Sequence, residues 1–223
     1  MTDSPLTVTT LFHFGPVPIT TPVVTTWGLM AVLAIGSALA TRRLTLRPGA
    51  LQTALELLVC GIAEQIRAII RSDPTPLMPL VGTLFIFLAT ANLLGLLPGL
   101  EPPTAHLETT AALAGIVFVA THVYGVRSLG LKRYLAGFAQ PVWIMLPLNI
   151  VSEFTRSISL MVRLFGNLMS GVFIGALVLS LAGLFVPIPF MALDILTGLV
   201  QAYIFAILAA VFIGAAIGAT DRS

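Results

Sequence analysis

Between Pro147 and Val186 the chain runs for about forty residues without an internal proline, and beyond Ser159 almost every residue is apolar or small. A single helix over this block would reach roughly 60 Å, about twice a ~30 Å hydrocarbon core. A second block, Phe190 to Ala219, would reach roughly 45 Å on the same arithmetic. Pro187-Ile188-Pro189 separates the two. Either both helices lean far from the membrane normal, or the first block is a broken pair. A break at Gly166-Asn167 would leave two halves too short to span comfortably and would invert everything downstream. The reading adopted is a long, strongly tilted hairpin with helices over 142–186 and 189–219.

The rest of the chain has the same character. Of 223 residues, 57% are hydrophobic and 9% charged, against about 25% charged in a soluble domain. The fold class expected is an all-α membrane protein of one domain, 1–223, with about five transmembrane helices. Residues 1–22 are rich in Thr and Pro and read as an external arm; they hold neither Lys nor Arg nor an early apolar core, so no cleaved leader is expected. Apolar spans are expected over 23–41, 77–97 and 109–126. Over 51–71, Leu51, Leu55, Leu58, Ile62, Ile66, Ile69 and Ile70 fall on one stripe opposite Gln52, Glu56, Glu64, Arg67 and Arg71. That pattern predicts a cytoplasmic amphipathic helix.

Charge sets the orientation. Arg42, Arg43 and Arg47 follow the first span, and Arg127, Lys132 and Arg133 follow the third. The loop through Glu101, His106 and Glu108 has acids but no Lys or Arg. The positive-inside rule therefore puts the N-terminus outside and the C-terminus in the cytoplasm. Basic residues are too scattered for a nucleic-acid partner. Cys60 excludes an internal disulfide and reads as a small core residue. His106 and Glu108 are too few to hold a metal, and His13 and His122 show no partners in the sequence. No nucleophile triad, phosphate loop or cofactor motif occurs, so the chain is expected to be a non-enzyme with no cofactor.

Arg163 is the anomaly. After it the next ionisable residue is Asp194, and a guanidinium stays charged at any physiological pH. An arginine at a helix centre costs about 2.5–3.5 kcal/mol on insertion scales. It needs a partner, and its own segment has no adjacent carboxylate. On a helix through Arg163, Ser152, Arg156, Ser159, Gly166, Asn167 and Ser170 form one polar, small-residue stripe. Gly166 with Ser170, and Gly171 with Gly175, have the small-x3-small spacing of close helix contacts. Glu153 and Arg156 have the spacing of a local ion pair. Asp194, Thr197, Gly198 and Gln201 share a face of the last helix. An intramembrane acid is a candidate functional group by default, and together these groups could replace parts of an ion's hydration shell.

Arg163-Leu164-Phe165-Gly166-Asn167 resembles the arginine motif of subunit a of F-type rotary ATP synthases. Gln52-Thr53-Ala54-Leu55-Glu56-Leu57, Asn92-Leu93-Leu94-Gly95-Leu96-Leu97-Pro98, Pro103-Thr104-Ala105 with Thr109-Thr110, and Gln201-Ala202-Tyr203-Ile204-Phe205 resemble further segments of that family. The resemblance implies a stator subunit in a bacterial inner membrane, with c-ring subunits, peripheral-stalk b-type subunits and membrane lipid as partners. It implies two offset half-channels that pass H+, with Na+ as the alternative. Arg163 would face the ring carboxylate and block leakage, with Asn167, Asp194 and Gln201 on the ion path. Asn92, Glu153, Arg156, Ser159, Ser170, His106 and Glu108 are candidates for lining the half-channels. Val172 departs from the pattern, since many relatives carry an acid or His nine positions after the arginine.

Overall fold

The computed structural model describes residues 10–14, 17–42, 49–70, 75–95, 102–138, 143–182 and 187–218. Arg43, Arg47, Arg71, Glu101 and the C-terminal Arg222 lie outside them. Apart from one small hairpin, the described chain is helical.

The stretch expected as an extended arm contains strands β1 (Thr10–Phe14) and β2 (Val17–Thr20), paired antiparallel. Self-pairing satisfies backbone groups that a lone extended strand would leave to solvent. Helix α1 (Thr21–Thr41) starts two residues before the expected span, with Pro22 in its first turn. Proline is tolerated there because that N–H has no helical acceptor to lose.

Helix α2 (Ala50–Ile69) docks only by its C-terminal half. Ile66 and Ile70 are buried, whereas Leu55 is exposed, so the amphipathic stripe is half used within the chain. Cys60 is exposed too, against the expectation of a core position. It lies off the stripe and ahead of the turn that docks.

Helix α3 (Met78–Leu94) has 17 residues, and α4 (Leu107–Leu129) follows a short 3-10 turn at Pro103–Ala105. Gly130, at φ 77°, turns the chain into α5 (Leu131–Phe138). A left-handed φ suits glycine, which has no Cβ to clash. Helix α6 (Met145–Ala182) is unbroken through Gly166-Asn167 for 38 residues, and α7 (Pro187–Gly218) runs for 32. Among the described residues, four helices (α1, α4, α6 and α7) are long and apolar enough to cross a membrane, and α3 falls just short in length.

Helix α7 holds the fold together because it is buried on two sides. Ala202, Phe205 and Ala209 pack with Leu84 and Leu88 of α3, Leu113 and Val117 of α4, and Leu160 and Leu164 of α6. Ala206, Ala210 and Ile213 pack with Ile66 and Ile70 at the end of α2 and with Leu77 and Val81 at the start of α3. The small alanines let the helices approach closely, as in membrane bundles.

Candidate functional site: the α6–α7 hairpin

Contacts along α6 and α7 run in opposite directions. Gly171 meets Asp194, Arg163 shares a cavity wall with Leu208, and Arg156 shares walls with Phe212 and Ala215. The two long helices are therefore an antiparallel hairpin. On α6, Leu160 and Leu164 turn inward and are buried, while Ser159, Val162 and Arg163 are exposed. The 3.6-residue period alone achieves this, placing Arg163 beside the packed seam rather than within it.

Arg163 lines a cavity of about 350 Å3 with Ser152, Thr155, Arg156, Ser159, Leu160, Leu208 and Phe212. A second cavity, about 420 Å3, shares Ser152, Arg156 and Phe212 with the first and extends past Glu153 and Asn149 to Arg133, Tyr134 and Phe138. The two adjoin, so polar groups follow one another from α5 to Arg163. Glu153 and Arg156 pair at 3.5 Å, and the Arg156 guanidinium lies 5.6 Å from the centre of the Phe212 ring. Arg163 makes no ion pair among the described residues. Arg163 is exposed, and Ile174 and Leu177, exposed further along α6, lie on the same face.

The remaining expected residues lie elsewhere. Neither cavity wall includes Asn167, Asp194, Ser170 or Gln201. Asp194 is exposed, yet its carboxylate rests on Gly171, in space that a Cβ there would fill. Of the glycines in the two small-x3-small pairs, Gly171 meets Asp194 of α7, whereas Gly166 and Gly175 have open space where a Cβ would be. Gln201 is 7% exposed, and its amide nitrogen meets no hydrogen-bond partner among the described residues. Asn92 is buried at 8% exposure; its amide donates to the Gly198 carbonyl at 2.6 Å, and its oxygen accepts from the Thr104 hydroxyl at 3.1 Å. His106 precedes α4 as its N-cap residue, and Glu108 is exposed in the first turn, where the helix dipole favours an acid. Among the described residues no three His, Cys, Asp or Glu side chains gather as metal ligands would.

Three features were missed in the sequence. His122 sits among rings, with Phe118, Tyr134 and Phe138 centred 4.3, 5.9 and 6.4 Å away. Its Nδ1 lies 2.8 Å from the Phe118 carbonyl, which can only accept, so Nδ1 carries the proton. Phe118 with His122, and Tyr134 with Phe138, have i, i+4 spacing, and that signal could have found the cluster. Asn149 donates to the Phe138 carbonyl at 2.9 Å and ties α6 to α5. Tyr134 is seated against Gly125, and burial, aided by the charge of Glu153, raises its phenol above the ordinary value.

A family model described as "ATP synthase A chain" matches residues 23–214. The chain is 63% identical to "ATP synthase subunit a 2" of Bradyrhizobium sp. strain BTAi1 over 222 residues, covering 100% of both chains. It is 49% identical to "ATP synthase subunit a" of Albidiferax ferrireducens over 207 residues, 92% of this chain and 90% of that one. It is 47% identical to "ATP synthase subunit a 1" of Prosthecochloris aestuarii over 214 residues, 95% of this chain and 96% of that one.

Proposed function

The chain belongs to the ATP synthase A chain family, and from that premise we propose that it is the stator subunit that passes protons to and from a rotating c-ring. The observation that carries the reading is Arg163: a permanent charge, exposed on a narrow polar stripe of an otherwise apolar helix, with no carboxylate partner among the described residues. A chain that keeps such a charge in a membrane has its counter-charge on another protein. A carboxylate carried on the ring is a partner of the right sign. The guanidinium holds it ionised while the two are adjacent and repels a cation that would cross without the ring. Turning is then driven by about 2.3 kcal/mol per charge per 100 mV of membrane potential.

Polar groups approach Arg163 from two directions along the hairpin. Ser152, Glu153, Arg156 and Ser159 surround the adjoining cavities toward α5, and they form the cytoplasmic half-channel in this reading. Asp194, with Gln201 and Asn167, forms the external one. Asp194 takes up the work that Val172 cannot do, being the one ionisable side chain on α7 among the described residues apart from Tyr203. The N-terminal hairpin is external, α2 and α5 are cytoplasmic, and the peripheral stalk packs on the bare faces of the first helices. The setting is a bacterial inner membrane.

The test is Arg163→Lys in inverted membrane vesicles. ATP-driven acidification is expected to vanish while the complex still assembles, because a lysine keeps the charge but loses the planar fork and its reach. Normal pumping in that variant would overturn the reading. The purified chain alone should be silent in liposomes with an imposed proton gradient; flux without a ring would point to a self-contained transporter.

A further inference from the structure

Asn92 occupies a place that lining a water path does not explain. It is buried, and both ends of its amide are engaged. The Thr104 hydroxyl donates to its oxygen from the 3-10 turn before α4, and its nitrogen donates to Gly198 in the middle of α7. The Gly198 carbonyl already accepts the helical bond from residue 202, and its second lone pair takes the amide. The approach is close enough that a Cβ on residue 198 would lie 3.0 Å from that of Asn92. Three elements far apart in sequence are thus pinned at one point.

That point lies midway along the polar face of α7. Asp194 is one turn before Gly198 and Gln201 is one turn after it, all on the same side of the helix. A helix that rotates about its axis moves those groups together. The apolar contacts around it are non-directional; the bond from Asn92 to Gly198 is directional and favours one rotation, and the Thr104 bond holds Asn92 in place to make it. That rotation rests the Asp194 carboxylate on Gly171 and keeps Gln201 inside.

We propose that the Thr104–Asn92–Gly198 latch is a positioning device for ion translocation, setting the rotation of α7 so that Asp194 and Gln201 stand where the ion needs them. The inference rests on the translocation role proposed above. In it Asn92 acts through α7 and touches no ion, and Thr104 acts through Asn92.

The experiment measures ATP-driven proton pumping per assembled complex in inverted vesicles for Thr104→Val, Thr104→Ser and Asn92→Ala, with Arg163→Lys beside them. Thr104→Val removes the donor without changing shape and leaves a buried acceptor short of a bond, so a loss of about three- to tenfold in pumping per complex is expected. Thr104→Ser restores the hydroxyl and should stay within about twofold of the parent chain. Asn92→Ala should lose at least as much as Thr104→Val; if it fails to assemble, the two Thr104 variants decide. Normal pumping by Thr104→Val overturns the latch. So does a fall in assembled complex alone, with pumping per complex unchanged, since that is a role in folding only. A Thr104→Ser variant as poor as Thr104→Val overturns it too. If Arg163→Lys pumps normally, the translocation role itself has failed; if it is dead while Thr104→Val is normal, only the latch has.

Discussion

The contact between Asp194 and Gly171 shows how much one missing side-chain atom can decide. The carboxylate occupies the volume a methyl group would take, so the two positions specify each other. Gly171→Ala is expected to push Asp194 off α6, and overpacking of this kind costs about 1–3 kcal/mol, with about tenfold of pumping lost if the shift reaches the ion path. The double variant Gly171→Ala with Asp194→Ala should recover thermal stability in detergent but not pumping. Recovery of both would show that the acid has no part in transport. The sequence made the single residues visible and not their meeting. Arg163 and Asp194 stand out because a charge in a long apolar run is costly wherever the run folds. Which glycine Asp194 meets depends on how two long helices are set against each other, which follows from apolar packing spread over many residues together with the distant hydrogen bonds of Asn92. The engagement of Asn92 with both Thr104 and Gly198 was hidden for the same reason, since its partners lie 12 and 106 positions away.

At the scale of elements, α5 is attached by ring contacts and one polar tie rather than by a continuous apolar seam. Tyr134 lies against Gly125, Asn149 holds the end of α5, and Phe118, His122 and Phe138 complete the cluster. Gly125→Ala would place a Cβ within the Tyr134 ring, so α5 must swing away, opening the wall of the larger cavity it shares with Glu153 and Arg156. A loss of about 1–3 kcal/mol in stability is expected, read as a lower melting temperature in detergent. Restoration by Tyr134→Ala in the same chain would locate the clash. Period and length made the long helices and α2 legible, because burial repeats every 3.6 residues over many turns. Residue type misplaced Cys60: a lone cysteine reads as a core residue, yet it sits off the stripe and is exposed. The N-terminal hairpin escaped for a different reason: its pairing lies in backbone hydrogen bonds, which leave little trace in composition.

The whole chain is unevenly covered. Helix α7 is buried on two sides, whereas α1 has only Pro22 and Leu29 buried, and α6 exposes Ile174 and Leu177 on the face that carries Arg163. On the proposed reading the ring runs past this side of α6. Single cysteines at Ile174 and Leu177 should then cross-link to ring subunits in native membranes, while one at the buried Leu164 should not. Cross-links from Leu164 with none from Ile174 would place the ring on another face.

The unbroken length of α6 has a consequence for motion. Thirty-eight residues make a rod of about 57 Å against a ~30 Å core. Such a rod leans or protrudes, and a leaning rod has its two ends above different points of the membrane plane. A cargo taken up near one end and released near the other must therefore travel sideways as well as through. Chirality fixes the sense of that sideways step, and a step of one sense, repeated around a circle, is a torque.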